Sequence, residues 1–87
     1  MADVLMYLRE SCPYCHRARL LLRSKGVHWD EIDLDREPQR RIEMIEKSGR
    51  HTVPQIFIGS THLGGSDDLA LAESSGRLDR LLSGTGA

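Results

Sequence analysis

The chain contains two cysteines, and only two residues separate them: Cys12-Pro13-Tyr14-Cys15. Two thiols at that spacing can close a reversible disulfide. The pair stands between an apolar run, Val4 to Leu8, and a helical pattern that opens at Pro13. Cys12 is therefore expected at the mouth of a helix, where unpaired backbone N–H groups and the positive end of the dipole favour a thiolate. Thiolate is the attacking species in thiol–disulfide exchange, so the motif points to redox chemistry. Arg9 before it, and His16, Arg17 and Arg19 after it, add positive charge of the same effect. Zinc is the competing use of such a pair. Tetrahedral zinc wants four N/S ligands, and His28, His51 and His62 have no ligand-like spacing, so no metal is expected.

Two further stretches have chemical potential. Val53-Pro54 precedes an apolar strand and marks at least a turn. Gly64-Gly65-Ser66-Asp67-Asp68 reads as a turn into a helix capped by the Ser66 hydroxyl. Glycines before a helix N-terminus let a ligand approach bare backbone, and the free N–H groups suit a carboxylate. Arg36, Arg40, Arg41 and Arg50 read as a solvated basic face rather than a steering patch, and His51 as an exposed loop histidine.

The elements that must position these residues follow from periodicity. Val4–Leu8 is a buried strand. In the first helix Cys15, Ala18, Leu21 and Leu22 share a face, Gly26 ends it, and Leu20 points away without a role. Val27–Leu34 is a second strand, making a βαβ unit with parallel strands. A second helix opens near Pro38, with Ile42 and Ile45 as its buried stripe, and closes at Gly49. Gln55–Ile58 and Thr61–Leu63 form a hairpin about Gly59-Ser60. A third helix runs from Ser66 to about Gly76, Leu78, Leu81 and Leu82 make a last helical turn, and 83–87 is a flexible tail. The whole is an α/β sandwich of three layers in one domain, 1–87.

Bulk properties narrow the function. The 87 residues carry a net charge of -1, with 39% hydrophobic and 29% charged residues. No global field draws the chain to nucleic acid or membrane, and no phosphate-binding loop is present. Met1-Ala2-Asp3 lacks a basic n-region, and Val4–Leu8 is too short for a signal peptide or a membrane span. A cytoplasmic address is the expectation, and in that reducing compartment the cysteines are catalytic or metal-binding rather than structural.

On three separated motifs, Cys12-Pro13-Tyr14-Cys15, Thr52-Val53-Pro54 and Gly64-Gly65-Ser66-Asp67-Asp68, the chain resembles the glutaredoxins, in particular the short bacterial dithiol type, from about Val4 to Leu82. The resemblance implies a thioredoxin-like fold with a four-stranded mixed sheet flanked by helices on both faces. It implies a glutathione-dependent thiol–disulfide oxidoreductase that reduces glutathione mixed disulfides and protein disulfides, with Cys12 as nucleophile and Cys15 as resolving thiol. The Val53–Pro54 bond would be cis, presenting the Val53 N–H and C=O to the cysteinyl backbone of glutathione. Thr52, Val53, Pro54, Gly65, Ser66, Asp67 and Asp68 would line that site. In it Ser66 and Asp67 N–H groups would take the γ-glutamyl carboxylate and Asp68 the ammonium. Arg9, aided by a basic residue such as Arg40, would meet the glycine carboxylate, and Tyr14 would wall the sulfur. Many relatives carry lysine where this chain has Arg9, and cysteine where it has Ser66. Glutathione is implied as co-substrate with no tightly bound cofactor, glutathione reductase as the indirect source of electrons, and ribonucleotide reductase as a common client. A monomer is implied. Members that bridge a [2Fe–2S] cluster usually lack a proline after the first cysteine, so Pro13 argues against that role.

Overall fold

The computed structural model describes residues 2–84, so positions 85–87 of the expected tail lie outside the described residues. The strands are β1 (Val4–Leu8), β2 (Asp30–Asp33), β3 (Gln55–Ile58) and β4 (Thr61–Gly64). The helices are α1 (Pro13–Ser24), α2 (Arg41–Ser48), α3 (Ser66–Ser75) and α4 (Arg77–Ser83), with a 3-10 turn, Pro38–Arg40, leading into α2. Strand order is β2-β1-β3-β4, with β1 and β2 parallel and the other neighbours antiparallel. This is the mixed four-stranded sheet that the motif order implied.

Alternation along the strands sorts the core into two layers. Val4, Met6, Leu8, Ile56 and Ile58 face Cys15, Ala18 and Leu22 of α1, Leu69 and Ala72 of α3, and Leu78, Leu81 and Leu82 of α4. Tyr7 and Phe57 point the other way, onto Met44 of α2, with Ile32 and Leu34 completing that layer. Val53 packs against both clusters, because its loop crosses the end of the sheet between them. No helix among the described residues is long and apolar enough to cross a membrane.

Four local expectations change. The second strand is confined to Asp30–Asp33, since Val27 to Trp29 lead into it as an irregular segment. In α2 the fully buried residue is Met44, Ile45 packs partly buried beside it as expected, and Ile42 is 65% exposed. Ser66 is the first residue of α3 and Gly65 its N-cap, so the Ser66 hydroxyl is not the capping group. Ser83 belongs to α4 rather than to a tail, and Gly84 caps that helix in the left-handed region. Gly49 and Gly76 end their helices in the same conformation, at φ of 70° and 81°, which glycine adopts without a Cβ penalty.

Candidate active site

Cys12 is the N-cap of α1, and Pro13 fills the first helical position, where a missing N–H costs nothing. The cap is the thiol itself: Cys12 Sγ accepts from the Cys15 N–H at 3.2 Å. On its other side the Cys12 thiol donates to the Val53 carbonyl at 3.7 Å. Cys15, one turn into the helix, is fully buried beneath it. Burial, followed by a hydrogen bond with Cys12, pushes the Cys15 thiol up to about 12, so it stays protonated at neutral pH. The two sulfurs thus differ in exposure.

Facing Cys12, the Val53–Pro54 peptide is cis. Across a cleft from it lies the start of α3. Tyr14, Arg50, Thr52, Val53, Pro54 and the Gly65–Asp68 turn enclose about 420 Å³. A second depression of about 440 Å³, lined by Arg9, Leu34, Pro38, Arg41, His51, Thr52 and Val53, continues on the other side of the Thr52–Val53 backbone. Thr52 and Val53 form the ridge common to both.

The glycine wall is tightly built. Gly64 sits at φ +120°, and a Cβ there would lie 2.3 Å from the Asp68 carboxylate. That carboxylate folds back over the turn: Asp68 Oδ2 accepts from the Gly65 N–H at 2.9 Å and from Arg50 Nη1 at 2.7 Å. The guanidinium first, and the Gly65 N–H second, hold the Asp68 carboxyl below its usual range. Ser66 and Asp67 begin α3, so their N–H groups face the cleft with no earlier helical turn to bond.

These features match a known family along most of the chain. The glutaredoxin family model matches residues 4–63. The chain belongs to the glutaredoxin family. It is 55% identical over 82 residues to glutaredoxin 3 of Escherichia coli K12, covering 94% of this chain and 99% of that one. The solution structure of glutaredoxin from Brucella melitensis aligns with a TM-score of 0.82 at 56% identity, over 94% of this chain and 89% of that one. A buckwheat glutaredoxin, solved as its glutathione complex, aligns with a TM-score of 0.88 at 28% identity, over 99% and 83% of the two chains. The fold is thioredoxin-like, the activity is that of a thiol–disulfide oxidoreductase, and glutaredoxins use glutathione as co-substrate.

Against the sequence expectations, this glutaredoxin brings Cys12, Tyr14, Thr52, Val53, Pro54, Gly65, Ser66, Asp67 and Asp68 to one cleft and its rim. Arg9 lies in the adjoining depression, its Nε donating to Asp35 Oδ1 at 2.9 Å. Arg41, not Arg40, is the α2-side guanidinium that joins it; Arg40 is engaged with Glu43 and Glu37. The basic flanks of Cys12 have partners of their own. Arg19 is clamped between Glu10 and Glu31, at 2.8 and 2.7 Å, and Trp29 Nε1 also donates to Glu31. His16 Nε2 donates to the Glu10 carbonyl, and Arg17 lies over the Tyr14 ring. The Arg19 and His16 contacts tie Glu10, in the loop before Cys12, to α1.

Arg50 is the site residue that sequence reasoning passed over as surface charge. Its only sequence signal was its place two residues before Thr52, and its carboxylate partner lies 18 positions away. Gln55 and His62 were read only as strand residues, His62 without ligand-like spacing. Gln55 is fully buried, and burial followed by the Arg50 charge holds His62 below the ordinary imidazole value.

Proposed function

We propose that this glutaredoxin reduces glutathione mixed disulfides and protein disulfides, with Cys12 as nucleophile and Cys15 as resolving thiol. The observation that carries the proposal is the asymmetry of the pair. Cys12 sits at a helix mouth on the rim of an open cleft, beside the Val53 carbonyl, with a buried, protonated Cys15 directly below.

On a glutathionylated protein, the Cys12 thiolate attacks the glutathione sulfur and the protein thiolate leaves, taking up a proton. The Cys15 N–H, already on the Cys12 sulfur, remains there to hold the charge when Cys12 departs. Free glutathione, as thiolate, then attacks the glutathione sulfur of the intermediate. Oxidised glutathione forms and Cys12 is regenerated. On a protein disulfide, the Cys12 thiolate attacks one sulfur and the other leaves as a thiolate. Cys15 then gives up its proton to the departing thiolate and attacks the Cys12 sulfur, which releases the second substrate sulfur as a thiolate. Two glutathiones then reduce the Cys12–Cys15 disulfide.

Each charged end of glutathione has a complement along the two depressions. The γ-glutamyl carboxylate meets the N–H groups of Ser66 and Asp67, and the ammonium meets Asp68. The cysteinyl backbone pairs with Val53 between Thr52 and Pro54, as a one-residue strand addition. The glycine carboxylate takes Arg9 with Arg41, Arg9 exchanging Asp35 for the ligand.

The test is turnover of a glutathionylated peptide, coupled to glutathione and glutathione reductase. Cys12→Ser should be inactive and Cys15→Ser active on this substrate, while Cys15→Ser loses protein-disulfide reduction. Activity of Cys12→Ser, or a wild type served only by thioredoxin reductase, would sink the reading.

A further inference from the structure

Gln55 is the one fully buried polar residue among those described. It follows the cis proline directly and opens β3. An apolar side chain of similar volume would fill this place with no amide to desolvate. Instead the amide is satisfied at both ends. Its Nε2 donates to the Thr52 carbonyl at 3.0 Å, and lies 3.4 Å from Thr52 Oγ1. Its Oε1 accepts from His62 Nε2 at 2.7 Å. The Thr52 carbonyl can only accept, which fixes which way the amide points and requires a proton on His62 Nε2.

The three residues join the two walls of the cleft from below. Thr52 belongs to the ridge that carries Val53 and faces Cys12. His62 is in β4, two residues before Gly64 and the turn into α3, and its ring stacks on Phe57 with centroids 4.9 Å apart. Above, Gly65 passes the Pro54 carbonyl so closely that a Cβ would stand 3.3 Å from it, and Arg50 reaches across to Asp68 at 2.7 Å. A satisfied buried polar network rigidifies what it connects.

We infer that Gln55, held by His62, is a positioning residue: it sets the Thr52–Val53 ridge against the glycine wall and so favours disulfides that contain glutathione. The inference rests on the reading of this cleft as the glutathione site. It accounts for a buried amide that packing alone does not require.

The test compares one peptide carried as its glutathione mixed disulfide and as its cysteamine mixed disulfide, with kcat and KM measured for each and thermal unfolding alongside. His62→Ala removes a half-buried ring and with it the donor to Gln55 Oε1. It should raise KM for the glutathionylated peptide about fivefold, the size expected from one positioning hydrogen bond. The kcat and the constants for the cysteamine peptide should stay within about twofold. His62→Gln, which returns an N–H at similar reach, should recover most of the loss. Gln55→Met should act in the same direction and more strongly. An equal rise in KM on both peptides, or a lowered melting temperature with unchanged selectivity, would overturn the inference while leaving the glutathione site standing. A wild type that does not distinguish the two peptides would overturn the site itself and the inference with it.

Discussion

The backbone N–H of Cys15 points at the sulfur of Cys12, 3.2 Å away, while the Cys15 thiol is closed off from solvent. One residue therefore serves the redox pair twice, as a donor to the outer sulfur and as the inner sulfur. The asymmetry has a direct chemical readout. With burial pushing the Cys15 thiol far above neutral, it carries almost no thiolate at pH 7. Brief treatment of the reduced protein with iodoacetamide near neutral pH should add one label, on Cys12. In denaturant the same reagent should add two. Mass spectrometry of the two digests decides it, and native labelling of Cys15 at a comparable rate would mean that the inner thiol is accessible.

Gly64 is required by the cleft and not merely tolerated there. At φ +120°, with the Asp68 carboxylate 2.3 Å from where a Cβ would stand, Gly64→Ala faces backbone strain and a displaced cap together. A loss of about 2–3 kcal/mol is expected in urea unfolding. Gly65→Ala provides the control. At φ -93° its backbone suits any residue, and its Cβ would meet only the Pro54 carbonyl at 3.3 Å, so about 1 kcal/mol is expected. Equal losses at the two positions would contradict this account of the turn.

What the sequence revealed and what it hid divide along local and non-local lines. The cysteine pair, the proline bend and the glycine turn were legible because each depends on its own few residues: a helix start, an X–Pro bond, a capped turn. The state of the surrounding charges was not. Arg9 finds Asp35 and Arg19 finds Glu31 only because β2 lies parallel to β1, which brings the residues around Asp33 beside the active-site loop. Arg50 meets Asp68 only once the β3–β4 hairpin has folded back. The error in α2 has a related cause. Met44 sits on a line with Ser48 and with Arg40 of the preceding turn, so its own line carries one apolar residue, with Ile45 packed beside it. The polar members are satisfied in place. Arg40 holds Glu43, which also takes the Tyr7 hydroxyl, and the Ser48 hydroxyl donates to the Met44 carbonyl. Of the two isoleucines expected there, Ile45 does pack against that layer, and Ile42 alone faces outward.

A mutant pair makes that correction measurable. Met44 is fully buried against Tyr7 and Phe57, so Met44→Ala should cost about 2–5 kcal/mol through lost transfer energy and a residual cavity. Ile42, 65% exposed, should tolerate alanine to within about 0.5 kcal/mol. The reverse ranking in urea midpoints would restore the stripe expected from periodicity.

The final prediction concerns acid. Asp68 Oδ2 receives both Arg50 and the Gly65 N–H, and both lower its folded-state titration below the ordinary 3.8. As pH falls, the unfolded chain takes up this proton before the folded one does. The stabilisation from ionised Asp68 is therefore complete well above pH 3.8 and fades as pH drops through that value toward the folded-state value. The pair is partly exposed, so its share at neutral pH should be modest, about 0.5 kcal/mol. Asp68→Asn keeps an oxygen for Gly65 but loses the charge. The stability gap between wild type and Asp68→Asn should be flat from about pH 5 to 7 and should close below about pH 4. Arg50→Gln removes the larger of the two causes. On that background the same comparison should show a smaller gap at neutral pH and a weaker dependence on acid, leaving the part owed to the Gly65 N–H. An unchanged gap in the Arg50→Gln background would assign the lowered titration to the backbone donor instead of the ion pair.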